Sequence, residues 1–360
     1  MRILAVAGSS GGHIYPAVSF LSAVKNKDRS ADTLLVLPQR STAKNIIPGI
    51  SGIKYICTTQ LSLRPSPGNL ISWFKYLKGA VQSFELIVKF KPDIVVGFGS
   101  IDSIPLVMLA WLFRIKTLIH EQNAIPGKAN RFLAKFADKI AVTFPQSENY
   151  FQVNASKITA TGNPIRNDLM RIDRIRALDF FGLKERFTVL VMGGSQGSKR
   201  INKFFSEAAK RIILESDFQV IHICGNDSVD EIVDAYRQAG IAANVTAYLQ
   251  QMQYAYSAAD LVVCRAGATT ISELSYFALP AIIIPYPYAY AHQVENARIL
   301  ERSGAAAVIQ DKDLESGILE EKFRQCSQRK VLDNMRLNYG SLDSPAAAEL
   351  LVEAALESLK

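Results

Sequence analysis

The chain has 360 residues, too many for one ordinary core and suited to two domains. Hydrophobic residues make up 49% and charged residues 21%, the balance of a soluble globular protein. A net charge of +8 suits a solvated basic surface, anionic lipid, nucleic acid or a polyanionic substrate, and composition does not choose among them.

Taken in chain order, Met1–Val6 is too short for a secretion signal and runs straight into glycines. Residues 3–7 read as a buried strand ending in Gly8-Ser9-Ser10-Gly11-Gly12-His13, followed by a helix over 17–25. Strands are predicted over 33–37, 93–97, 117–120 and 139–143. The best apolar run, 104–113, is about half the roughly 20 residues that a bilayer span needs. A boundary falls near Gly162-Asn163-Pro164-Ile165-Arg166. The pattern then repeats: a strand over 189–192 ends in Gly193-Gly194-Ser195-Gln196-Gly197, with a helix over 201–214. Strands over 220–224, 260–264 and 281–285 follow, and a last helix over 345–359 is expected to pack back on the body.

Continuous apolar strands alternating with helices predict two doubly wound parallel sheets, whose ligands sit beyond the strands' carboxyl ends. The predicted domains are 1–165 and 166–340, with 341–360 as the returning helix. The four cysteines show no metal-ligand spacing and read as free thiols of a reducing compartment.

Both glycine turns lack the spacing of a dinucleotide fingerprint or a P-loop, yet glycine lets backbone N–H groups approach an anion closely. A third turn, Arg265-Ala266-Gly267-Ala268-Thr269-Thr270, adds two hydroxyls before a helix predicted to begin at Ile271. Glu273, three residues after Thr270, has the spacing of a capping box, or it could accept from a ribose diol. Gln293 and Asn296 share one helical face. His120-Glu121-Gln122-Asn123 places four polar side chains at a strand end, where packing alone has no use for them. Of the four histidines only His222 reads as a core residue.

Together the stretches 8–17, 120–134, 162–166, 193–198, 264–273 and 292–297 resemble the MurG family of N-acetylglucosaminyltransferases in order and spacing over nearly the whole chain. The resemblance implies the GT-B fold, α/β with two Rossmann-like domains facing across a cleft. It implies inverting transfer of N-acetylglucosamine from UDP-GlcNAc to the muramoyl 4-hydroxyl of polyprenyl-linked lipid I, giving lipid II for the cell wall. No cofactor or metal is expected. The first domain would serve the acceptor and the membrane, the second the nucleotide sugar.

By that resemblance Arg166 and the backbone near Tyr248 lie by the uracil, and Ser195, Gln196 and the 193–197 turn face the diphosphate. Ala268, Thr269 and Thr270 continue the phosphate site, Glu273 holds the ribose, and Gln293, Asn296 and Asn123 hold the sugar. Ser10, Gly11 and Gly12 join the substrate-binding set. His13 is the favoured base, since a histidine's ordinary value of about 6.5 suits proton removal near neutrality, with Glu121 as competitor. Asp311-Lys312-Asp313 matches a metal-binding DxD but is set aside as surface charge. Leu70–Lys78, preceded by Arg64, mixes aromatics with lysines and suits the cytoplasmic membrane face, or a half-buried amphipathic helix.

Two departures from the family stand out. Its GGTGGH loop here has Ser9 and Ser10, and its GxGGYxSxP loop reads Gly97-Phe98-Gly99-Ser100-Ile101-Asp102-Ser103-Ile104-Pro105. The second loop belongs to the acceptor side and keeps a different lipid acceptor open. A UDP-GlcNAc 2-epimerase would share the architecture but leaves the polar run at 120–123 unexplained. A nucleic-acid-binding role lacks any known motif, so no nucleic acid is expected.

Overall fold

The computed structural model describes residues 1–41, 52–58, 67–194, 196–287, 292–341 and 346–360. The chain divides into two compact units, Met1–Arg166 with Ala346–Lys360, and Asn167–Pro345.

The first unit is built on β1 (Arg2–Ala7), β2 (Asp32–Pro38), β3 (Ile53–Ile56), β4 (Ile94–Phe98), β5 (Lys116–Glu121), β6 (Lys139–Val142) and β7 (Ile158–Ala160). They form one parallel sheet in the order β3-β2-β1-β4-β5-β6-β7. The central strands β1 and β4 are apolar and buried over Ile3–Ala7 and Ile94–Phe98 because both faces are covered. Ile3, Ala5 and Ala7 of β1 enter a core with Phe20 and Leu21, while Leu4 and Val6 enter a second core with Leu106 and Val107. The last helix, Ala347–Glu357, buries Leu351, Val352 and Ala355 in the first of these cores, and Glu357 pairs with Lys139 at 2.6 Å.

The second unit contains β8 (Thr188–Met192), β9 (Gln219–Ile223), β10 (Ala243–Thr246), β11 (Leu261–Cys264), β12 (Ala281–Ile283) and β13 (Ala306–Val308). Again all pairs are parallel, in the order β10-β9-β8-β11-β12-β13. His222 is a core residue here, bonded to Tyr236 and Asn202, and burial pushes its imidazole down to about 3.

Every strand expected from the sequence is present. The unexpected ones, β3, β7, β10 and β13, are short and half-exposed, so they lack a continuous apolar signature. Two helices begin earlier than expected, at Gly11 rather than residue 17 and at Ala268 rather than Ile271. Glycine and threonine are weak helix formers, so periodicity hides a first turn made of them. In each sheet the strand order reverses once, between β1 and β4 and between β8 and β11, and crevices for ligands open at such points.

Candidate active site

At the first switch point, Ser10 has extended backbone and stands before the helix Gly11–Lys27, its carbonyl accepting from the N–H groups of His13 and Ile14. Ser10 and Gly12 are exposed and Gly11 half-buried. His13 lies on the first turn between two glycines. A Cβ on Gly99 would stand 3.2 Å from its Cε1, and one on Gly8 would stand 2.9 Å from its Cδ2. The His13 Nδ1 lies 3.2 Å from Gln122 Oε1.

The end of β5 supports this ring from behind. His120 and Gln122 are buried, and His120 Nε2 lies 3.0 Å from the Gly162 carbonyl. Gln122 Nε2 lies 3.1 Å from His120 Nδ1 and 3.3 Å from the carbonyls of Phe98 and His120. Burial pushes His120 down to about 4 against the Gly162 bond, with His13 acting in the same downward direction. Glu121, also buried, spends both oxygens on its own loop. Oε1 accepts from the backbone and side-chain amides of Asn123, and Oε2 from Gly127 N and Asn130 Nδ2. Arg166 ends the first unit with its guanidinium 5.0 Å from the centre of the Tyr15 ring.

The atypical loop after β4 has its own logic. Asp102 is fully buried and accepts from Arg40, Thr58 and Ser100. Ser100, at a position where the family has glycine, sits at φ 68° and ψ 154°, a region that disfavours any side chain. Burial and the Asp102 charge push Tyr76 up to about 12.

At the second switch point Ser195 lies outside the described residues, and Gln196 is exposed with its carbonyl accepting from Asn226 N. Gly197, at φ +76°, leaves no room for a side chain, since a Cβ would fall 2.1 Å from the Cys224 carbonyl. Ser198 caps the helix Lys199–Ile212 and also accepts from Arg265 at 2.7 Å. Arg265 is buried, donates to the carbonyls of Ile284 and Pro285, and pairs with Asp311 at 2.5 Å. The first Asp of the DxD triplet is therefore a structural anchor and not loose surface charge.

Residues 265–267 lead into the helix Ala268–Phe277, whose first residue is preceded by the extended Gly267. Thr270 thus lies inside the first turn, and the capping box expected with Glu273 does not form. Thr269 Oγ1 is buried with no hydrogen-bond partner among the described residues, and Glu273 accepts from the Tyr256 hydroxyl at 2.6 Å. Gln293 and Asn296, on the helix His292–Ser303, do converge, but on the backbone of Ala266. Gln293 Oε1 accepts from Ala266 N and Tyr286 N, and the fully buried Asn296 donates to Ala266 O. Both side chains therefore brace the 265–267 turn. Tyr248 is half-exposed, its carbonyl accepting from Thr246. Sequence reasoning missed Gln122, Tyr256 and the Arg265–Asp311 lock; only the unusual polar run at 120–123 signalled the first.

Residues 3–142 match the N-terminal domain of glycosyltransferase family 28, and residues 188–348 match its C-terminal domain. A relative from Caldanaerobacter subterraneus subsp. tengcongensis is named UDP-N-acetylglucosamine--N-acetylmuramyl-(pentapeptide) pyrophosphoryl-undecaprenol N-acetylglucosamine transferase. It is 37% identical over 345 residues, covering 93% of this chain and 94% of its own. The crystal structure of Acinetobacter baumannii MurG superposes with a TM-score of 0.78 at 25% identity, covering 99% of this chain and 100% of that one. The chain belongs to the MurG family of glycosyltransferases. A putative UDP-N-acetylglucosamine 2-epimerase from Listeria monocytogenes also superposes, with a TM-score of 0.71 over 97% of this chain and 94% of its own. At 13% identity that likeness shows only a shared fold, whereas the MurG relatives match along the sequence itself.

Proposed function

We propose that the chain transfers N-acetylglucosamine from UDP-GlcNAc to the muramyl 4-hydroxyl of a pyrophosphoryl-undecaprenol-linked acceptor, with inversion, forming the lipid-linked disaccharide of peptidoglycan synthesis. The observation that carries this reading is full-length identity to relatives named for that transfer. The clustering of the family motifs at the two switch points supports it.

In this reading the acceptor oxygen attacks C1 of the donor sugar as the C1–O bond to the β-phosphate breaks. The hydroxyl proton passes to His13 Nε2, for which the described residues supply no competing partner. Glu121 is set aside as the base, because four N–H donors already occupy its buried carboxylate. The leaving diphosphate gathers negative charge, and the free N–H groups and positive end of the helix Ala268–Phe277 stabilise it. The Thr269 hydroxyl, unpartnered among the described residues, adds a donor there. Glu273 takes the ribose hydroxyls, with Tyr256 holding its carboxylate. Gln293 and Asn296 act by shaping the 265–267 turn.

The acceptor's lipid implies a membrane surface. Among the described residues no helix is long and apolar enough to cross a membrane. The helix Pro67–Phe90 instead turns a second apolar stripe outward: Trp73, Phe74, Leu77, Val81, Phe84 and Val88. Phe74 and Leu77 are 72% and 62% exposed, each is followed in sequence by an exposed lysine, Lys75 and Lys78, and the Phe113 ring extends the patch 5.8 Å from Phe84. Such a face suits peripheral docking on anionic lipid. Of the earlier membrane stretch, Arg64 and the side chains of Leu70 and Ile71 lie outside the described residues.

The test is transfer of radiolabelled sugar from UDP-GlcNAc to a lipid I analogue and, separately, to diacylglycerol. Label on the lipid I analogue alone is expected. Label on diacylglycerol alone would overturn the acceptor assignment and put the 97–105 loop in charge of a different specificity.

A further inference from the structure

We infer that Gln122, oriented by His120, is a positioning residue that fixes the tautomer of His13, protonating Nδ1 and leaving Nε2 as the open nitrogen. The catalytic consequence rests on His13 as the base; the tautomer itself does not.

The direction of each hydrogen bond follows from the one behind it. The Gly162 carbonyl can only accept, so His120 Nε2 carries a proton. Burial keeps this imidazole neutral, so its Nδ1 is a lone pair and needs a donor. Gln122 Nε2 supplies that donor. The alternative amide orientation would press Gln122 Oε1 against the carbonyl oxygens of Phe98 and His120, each 3.3 Å away, as well as the His120 lone pair. With the amide so set, Oε1 faces His13 Nδ1 at 3.2 Å and can only accept, so Nδ1 carries the proton in neutral His13. Gly8 and Gly99 leave just enough room for the ring in this pose. A histidine whose second nitrogen is held by a polarised partner presents the other nitrogen in one protonation state, which a general base requires.

The chain has four histidines, so a 15N-histidine spectrum of the full-length protein is tractable, with the His13 signals assigned by their loss in His13→Ala. At neutral pH the wild type is expected to show a protonated Nδ1 and an unprotonated Nε2 for His13. Gln122→Met, which keeps the volume and removes the acceptor, should give mixed tautomers. It should also lower kcat roughly 10- to 100-fold, less than the ~10²–10⁴ of a whole general-base step, with KM for UDP-GlcNAc unchanged. His120→Phe, which leaves the His13–Gln122 pair itself unsubstituted, should shift the tautomer in the same way. A wild-type His13 protonated on Nε2, or a tautomer indifferent to both variants, overturns the inference. A tautomer shift with kcat intact upholds the positioning role and removes His13 as the base.

Discussion

The two units share a strand order, β3-β2-β1-β4-β5-β6 in one and β10-β9-β8-β11-β12-β13 in the other, yet their switch points hold different chemistry. In the first, side-chain amides and imidazoles form a hydrogen-bonded chain from the Gly162 carbonyl through His120 and Gln122 to His13. In the second, a buried guanidinium–carboxylate pair and two amide side chains brace a turn that offers backbone N–H groups and a carboxylate. Topology supplies the same opportunity twice, a strand end feeding a helix start. The side chains decide whether that place handles a proton or a charged ligand.

The largest expected effect separates the two sites by kinetics. His13→Ala should lower kcat by ~10²–10⁴, the usual worth of general-base catalysis, with KM for UDP-GlcNAc little changed in a steady-state assay. A KM defect of equal size would assign His13 to donor binding and blur the comparison.

Next comes stability. Asp311→Ala leaves the Arg265 guanidinium buried without its counter-charge, at a cost of about 3 kcal/mol. Both tryptophans, Trp73 and Trp111, belong to the first unit, so their fluorescence follows that unit while circular dichroism follows both. In urea the dichroism transition should move to lower denaturant and the fluorescence transition should stay.

Each unit also buries one neutral histidine, His120 with a folded value of about 4 and His222 of about 3, both below the ordinary 6.5. On acidification the unfolded chain takes up these protons first. The histidines' contribution is therefore complete above about pH 6.5 and is lost as pH falls toward 4 for His120 and toward 3 for His222, at ~1.4 kcal/mol per pH unit for each. Urea midpoints at pH 7 and pH 5 should differ in that direction for both units, and His222→Gln should flatten the slope in the second alone.

The smallest effect concerns Ser100. Its backbone strain is worth ~1–3 kcal/mol, partly offset by its bond to Asp102, so Ser100→Gly should stabilise the first unit by about 1 kcal/mol. A rise of roughly 2–4 °C in Tm is the matching signal for a unit of this size. No rise would mean that the Asp102 cluster holds the loop more strongly than its strain opposes it.

Much of the fold was legible because buried parallel strands write continuous apolar runs, as at β1, β8 and β11, and glycine turns mark where they end. The strand order was not, since no local pattern says that β4 rather than β2 adjoins the far side of β1. The site residues were legible as a polar run at 120–123 and as turns after three strands. Their hydrogen-bond partners were not. Arg265 and Asp311 are far apart in sequence, as are Arg40 and Asp102, and Glu273 finds Tyr256 on another helix. Spacing suggested a capping box at Thr270 because the helix start itself, set by tertiary packing, lay three residues earlier.

The central claim is that donor binding belongs to the second switch point and proton transfer to the first. Calorimetric titration of UDP-GlcNAc into the wild type, His13→Ala and Glu273→Ala tests it most directly. The expected result is unchanged affinity for His13→Ala and a roughly 10- to 100-fold weaker Kd for Glu273→Ala, the loss of a charged hydrogen-bond acceptor at about 1.5–3 kcal/mol. Equal weakening in both variants, or none in Glu273→Ala, would contradict it.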